Sequence, residues 1–175
     1  DYIGALNALT RAMGIDKHGL HQCEVAVIGA GGVSRAVVTG LADVGAHITI
    51  YNRTLKKAQD LAGEYKGKAK GLDEIGELKA DVVINCTSIG MYPNVDESPI
   101  PREVIGKGMV VFDTVYNPME TVLLYHAKEA GAQCVSGVEM FIHQALAQYK
   151  VFTGLEADVE LEDSMRETVV GALQK

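Results

Sequence analysis

The sequence predicts an α/β fold, a doubly wound parallel sheet with helices on both faces. Two observations lead there. Strand-like runs alternate with stretches of helical periodicity along the whole chain. The strand-like runs are also continuously apolar, as strands become when both faces of a sheet are covered.

The elements follow in order. Residues 2–14 carry Ile3, Leu6, Leu9 and Met13 at helical spacing, and Gly14 stops that helix. Residues 23–28 read as a buried strand, Gly29 to Gly32 as a tight turn, and Val33, Val37, Leu41 and Val44 as one face of a helix ending near Gly45. A second strand covers 47–51, and Leu55, Ala58, Leu61 and Tyr65 mark the helix behind it. Residues 66–79 are short and mixed, suited to an edge strand and a turn or two of helix. Strands at 81–86 and 109–113 follow, then a helix at 119–130, a strand at 133–135 and a long helix at 138–152. In the last segment, 159–173, Leu161, Met165, Val169 and Leu173 share one stripe. The loop 90–102 is the longest irregular stretch and holds three of the four prolines.

Composition narrows the function classes. A chain of 175 residues suits one domain, and at 47% hydrophobic it can bury a full core. A net charge of -7 repels phosphate backbones, so no nucleic-acid partner is expected. No stretch has the length and apolarity of a membrane span, and no secretory signal opens the sequence. Cys23, Cys86 and Cys134 form no CxxC pair and each lies in or beside an apolar run, so buried reduced thiols of a cytoplasmic protein are expected. His18, His21, His47, His126 and His143 lack metal-ligand spacing, and no metal site is expected. The sequence starts at Asp1, without Met, in what reads as the start of a helix; the expectation is a piece of a longer chain.

Chemistry concentrates at the first strand–helix turn, Gly29-Ala30-Gly31-Gly32-Val33-Ser34. Gly29 permits the tight turn, and Gly31 lets backbone approach a pyrophosphate. The helix beginning near Gly32 offers that phosphate free N–H groups and a positive dipole end. Ser34 stands where the strict GxGxxG pattern has its third glycine. Between a buried strand and an amphipathic helix, this turn reads as a Rossmann-type dinucleotide site.

The end of the second strand selects the dinucleotide. A site for NAD places Asp or Glu there to accept from the ribose 2′-OH. Here the run is Asn52-Arg53-Thr54-Leu55-Lys56-Lys57, with no acid. Arg53 can stack on adenine or fork onto a 2′-phosphate, and Lys57 lies one helical turn on. Cations at a helix N-terminus are unfavourable by themselves, and a 2′-phosphate resolves that conflict. NADP(H) is therefore the expected cofactor.

From the glycine turn onward the chain resembles shikimate dehydrogenase, above all the dehydrogenase half of the plant-type enzyme fused to 3-dehydroquinate dehydratase. The motifs are GAGGVSRA (29–36), NRTLKKA (52–58), INCTSIGM (84–91), DTVYNPMET (113–121) and GVEMFIHQA (137–145). The resemblance implies that Asn52, Arg53, Thr54 and Lys57 clamp the adenosine 2′-phosphate. It puts Thr87 and Ser88 beside the cofactor and Val115, Gly137 and Met140 near the nicotinamide. It also implies that Tyr116 and Gln144 touch substrate. Gly137, Met140 and Gln144 do share one helical stripe, while Val138, Phe141, Ala145 and Phe152 form a neighbouring stripe suited to the core. Asp1 matches the carboxylate of the family's catalytic Lys–Asp pair, and also suits an ordinary helix N-cap.

The family reaction is reversible reduction of 3-dehydroshikimate to shikimate by NADPH, a step toward aromatic amino acids. The family's substrate domain, with the catalytic Lys, precedes the position of Asp1 and is absent from this sequence. The chain then divides into a connecting helix (1–14), a Rossmann core (20–152) and a C-terminal helix (155–175). Three further expectations stand. The fragment is catalytically incomplete; its last helix, partly uncovered, promotes a homodimer; and the location is the cytoplasm, or a plastid for a plant parent. A quinate-using relative and a non-catalytic NADP-binding module stay open as alternatives.

Overall fold

The computed structural model describes residues 2–174. The strands are β1 (Glu24–Ile28), β2 (His47–Asn52), β3 (Lys68–Gly71), β4 (Val82–Asn85), β5 (Val110–Asp113) and β6 (Gln133–Val135). The helices are α1 (Tyr2–Met13), α2 (Gly32–Asp43), α3 (Leu55–Glu64), α4 (Val122–Glu129), α5 (Gly137–Thr153) and α6 (Val159–Leu173). The strands form one parallel sheet in the order β3-β2-β1-β4-β5-β6. Ala26 pairs with Thr49 on one side and Val83 on the other, so β1 and β4 lie at the centre, where the order reverses.

Alternate strand residues feed two separate cores, which is why the runs are continuously apolar. Val25, Val27, Ile84 and Phe112 join the core under α1, α2 and α3. Ala26, Ile28, Val83 and Val111 join the one under α4. Each fully buried aliphatic contributes roughly 1.5–3 kcal/mol. The mixed stretch 66–79 resolves into the lysine-bearing edge strand β3 and a 3-10 helix, Leu72–Glu77; edge charges of this kind discourage pairing with a further strand.

Two glycines seat α1. A Cβ on Gly4 would stand 2.7 Å from the Met140 carbonyl oxygen, and one on Gly40 2.9 Å from the Tyr2 ring. Close backbone approach thus wedges α1 between α5 and α2.

The structure moves two expected features. The helix expected from 119 starts at Val122, because Thr121 is its N-cap and accepts from the Leu124 N–H at 3.3 Å. The apolar stripe of α6 is half-buried against α5 and so partly uncovered, and exposed apolar side chains gather nearby, at Val151, Phe152, Leu155 and Val159. Phe141 and Phe152 are exposed, and the buried apolar side chains of α5 are Val138, Met140 and Ile142. The three cysteines are free and partly buried. Among the described residues no helix is long and apolar enough to cross a membrane, and no cluster could hold a metal ion.

Where α1, α5 and α6 meet, ion pairs run from Arg11 to Glu162, from Glu162 to Arg166, and from Arg166 to Glu139. His143 is buried inside this ring, with no partner at Nε2. Burial, then the Arg11 and Arg166 charges against the opposing pull of Glu162 and Glu139, hold its pKa below the ordinary value of 6.5. The folded state therefore favours the neutral ring, so this stability is present above the unfolded pKa and lost as pH falls. Thermal melts from about pH 7.5 to about pH 5.5 are expected to show a falling Tm, with a smaller fall in His143→Asn. An equal fall in both would assign the loss to other groups.

Candidate functional site

The site begins at the reversal point, where the C-terminal ends of β1 and β4 leave a crevice between the loops that follow them. Gly29 has φ +108°, and a Cβ there would lie 3.0 Å from the Thr87 side chain and 3.2 Å from the Cys86 carbonyl oxygen. Only glycine suits both demands. Ser34 is fully buried and accepts from the Gly31 N–H at 3.3 Å. The residue in place of the third glycine thus ties the turn to the first turn of α2. A Cβ on Gly31 or Gly32 would meet nothing within 4 Å, so the turn and the start of α2 present bare backbone to open space. That surface can take an anion.

Beside it, β2 ends at Asn52, whose side-chain amide donates to the Thr54 carbonyl at 2.9 Å and shapes the step into α3. Thr54 is the N-cap without a side-chain cap bond, and the first turn of α3 contains no acid. Arg53, Thr54 and Lys57 are exposed. Lys56 pairs with Asp60, whereas among the described residues no carboxylate pairs with Arg53 or Lys57.

The floor is a buried polar network. Asp113, at the end of β5, is fully buried. It accepts from the Asn85 amide at 2.9 Å, the Val115 N–H at 3.0 Å and the Thr121 hydroxyl at 2.6 Å. Asn85 in turn accepts from the Thr87 N–H and hydroxyl, at 3.0 and 2.7 Å. Burial raises the Asp113 pKa, and the bonds from Thr121, Val115 and Asn85 oppose that rise. Burial also pushes the Cys86 thiol up to about 12, so it lies at this floor as a neutral side chain and no nucleophile.

Above the floor is a cavity of about 480 Å³, walled by Val33, Thr87, Ser88, Met91, Tyr92 and Tyr116. A hollow of about 170 Å³ shares Val33 and Tyr116 with it and is closed by Gly137, Met140, Phe141 and Gln144. Gly137 is a packing requirement: a Cβ there would stand 2.5 Å from the Thr114 and Val115 carbonyl oxygens. A further hollow between Glu24, His47 and Lys68 lies at the strand N-termini, away from the glycine turn.

The residues singled out from sequence therefore fall into one region with two arms. Gly29, Ala30, Gly31, Gly32, Val33 and Ser34 form the turn, with Asn52, Arg53, Thr54 and Lys57 at the neighbouring strand end. Thr87, Ser88, Val115, Gly137, Met140, Tyr116 and Gln144 line the two cavities. Asp1 lies outside the described residues. Sequence reasoning missed Met91 and Tyr92. Their signal was weak, lying in an aperiodic loop that the Tyr92 N–H fastens to the Asn117 carbonyl at 3.0 Å.

A parallel sheet of this order, with a bare glycine turn at its reversal point and a basic second-strand end, defines a Rossmann-type dinucleotide-binding domain. The chain belongs to the shikimate/quinate dehydrogenase family. The family description "Shikimate / quinate 5-dehydrogenase" matches residues 12–113, and "Shikimate 5'-dehydrogenase C-terminal domain" matches 137–169. Shikimate dehydrogenase (NADP(+)) of Methanosarcina acetivorans is 44% identical over 99% of this chain, which spans 63% of that protein. The chloroplastic bifunctional 3-dehydroquinate dehydratase/shikimate dehydrogenase of Arabidopsis thaliana is 45% identical over 78% of this chain and 23% of its own length. A crystal structure of a shikimate dehydrogenase in complex with NADP+ matches with a TM-score of 0.85 at 37% identity, over 99% of this chain and 61% of that one.

Gly137→Ala is expected to push the start of α5 off the 114–115 carbonyls, lowering stability by about 1–3 kcal/mol. Denaturant melts check this; an unchanged midpoint would show that the contact yields freely.

Proposed function

We propose that the chain is the NADP(H)-binding half of a shikimate dehydrogenase, an oxidoreductase interconverting 3-dehydroshikimate and shikimate. The observation that carries this reading is Arg53. It stands exposed beside the bare glycine turn, at a strand end and helix start that lack an acid. An acid there would favour a ribose 2′-OH, whereas a guanidinium favours a 2′-phosphate. The family membership and the NADP+ in the relatives' names support the same cofactor.

In this reading the amides of Gly31, Gly32 and the first turn of α2 hold the pyrophosphate, with Gly29, Ala30, Val33 and Ser34 shaping the turn. Asn52, Arg53, Thr54 and Lys57 hold the 2′-phosphate. Thr87 and Ser88 run beside the cofactor, and Val115, Gly137 and Met140 wall the nicotinamide end. NADPH, when bound, supplies the hydride. The chain's own contribution is orientation and exclusion of water: Val115 and Met140 are buried apolar walls, while Tyr116 and Gln144 offer a hydroxyl and an amide for a polyhydroxylated ring.

The chain spans 63% of its archaeal relative, and the rest of the activity is assigned to a substrate domain N-terminal to it. That domain would carry a catalytic Lys, which stabilises the developing alkoxide and passes the proton. Asp1 would hold that Lys charged and in place. Gly4 packs on Gln144, which brings the start of α1 to the substrate end of the crevice. The exposed apolar end of α5, with Ile3, is the surface the missing domain covers, and in its absence a second copy covers it as a homodimer. The three free thiols accord with a cytoplasmic setting, or a plastid in a plant parent.

The test is shikimate-dependent NADP+ reduction by the chain alone and by the chain joined to its N-terminal domain. The chain alone is expected to be nearly inactive, and the joined protein active and impaired by Tyr116→Phe. Full activity of the chain alone, or quinate turnover to the exclusion of shikimate, would contradict this reading.

A further inference from the structure

Phe141 faces two cavities. On one side it lines the crevice hollow with Tyr116 and Gln144, and its ring centroid is 6.0 Å from that of Tyr116 at an interplanar angle of 41°. On the other side it lines a groove between α5 and α6 with Met165 and Val169. Neither α6 residue lines the crevice.

α6 is a lightly held element. It has no fully buried residue, and the apolar groove and the ion pairs from Arg166 to Glu139 and from Glu162 to Arg11 hold it in place. The groove is loosely filled, with a volume of about 230 Å³. Phe141 is 48% exposed, so the core does not lock its rotamer. Met165 is the longest apolar side chain that α6 contributes to the groove lined by Phe141. With less side chain on the α6 wall of this groove, the Phe141 ring has room to swing toward α6 and away from Tyr116. Tyr116 follows a strand end on a loop and is itself 49% exposed, so an aromatic neighbour is a substantial part of what orients it.

We infer that Phe141 is a positioning residue for Tyr116, and that α6, acting through Phe141, sets the shape of the substrate end of the crevice. The consequence for substrate rests on the reading of Tyr116 given above; the coupling itself does not. It makes the C-terminal helix part of the site although no residue of it reaches the cavity.

The test uses the whole chain labelled with 3-fluorotyrosine, which gives resonances from seven tyrosines. Tyr116→Phe assigns the relevant one, and buried Tyr51 reports that the fold is intact. Met165→Ala is expected to move the Tyr116 resonance and leave Tyr51 in place. In a Phe141→Ala background the same Met165→Ala change is expected to have no effect on Tyr116, because the intermediary is gone. Val169→Ala, on the same groove, serves where Met165→Ala perturbs Tyr51. An unmoved Tyr116 resonance, or an equal movement with and without Phe141, overturns the inference. Titrating the same labelled chain with NADP+ separates the two readings. Failure to bind removes the functional assignment and leaves the α6 coupling standing, while binding with no coupling does the reverse.

Discussion

A carboxylate buried at the end of an apolar strand is costly unless donors surround it. Asp113 is such a group, and its three donors come from three parts of the chain: Asn85 at the end of β4, the Val115 backbone, and Thr121 at the cap of α4. Satisfying one charge therefore fixes the two strand ends and the loop between β5 and α4 relative to one another. Asn85 extends the same constraint to Thr87, and Thr87 stands against the spot where a side chain on Gly29 would lie. The glycine turn, the cavity wall and the helix cap are thus held through one buried network.

Close backbone approach does the complementary work. Gly137 lets α5 start against the carbonyls of Thr114 and Val115, and Gly4 lets α1 lie on α5 beside Gln144. Both contacts bring side chains from distant segments to the same end of the sheet. The crevice is in this sense preorganised: its floor is hydrogen-bonded and its walls are packed. The open part is the bare backbone of the glycine turn, with Arg53 and Lys57 beside it, neither paired with a carboxylate among the described residues.

Much of this was legible in the sequence because it depends on local rules. Continuous apolar runs gave the parallel sheet, helical spacing gave the layers, and the glycines between them marked the turn. The exposed place of Arg53 was legible because it follows a strand end directly. The Asp113 network was not, since Asn85 and Asp113 are 28 residues apart and meet only once β4 pairs with β5. Met91 and Tyr92 lie in an aperiodic loop whose course depends on a distant carbonyl. Phe141 was expected in the core because α5 reads as an apolar helix; α5 in fact touches α1, α6 and the crevice, and periodicity cannot say which apolar face meets which neighbour.

The most direct measurement is calorimetric titration of the chain with NADP+ and, in parallel, NAD+, repeated with Arg53→Ala. The account predicts that NADP+ binds much more tightly than NAD+. It also predicts that Arg53→Ala weakens NADP+ by about tenfold, in keeping with one exposed charge-assisted contact, and hardly alters NAD+. Equal affinity for the two dinucleotides, or an NADP+ affinity indifferent to Arg53, would contradict it.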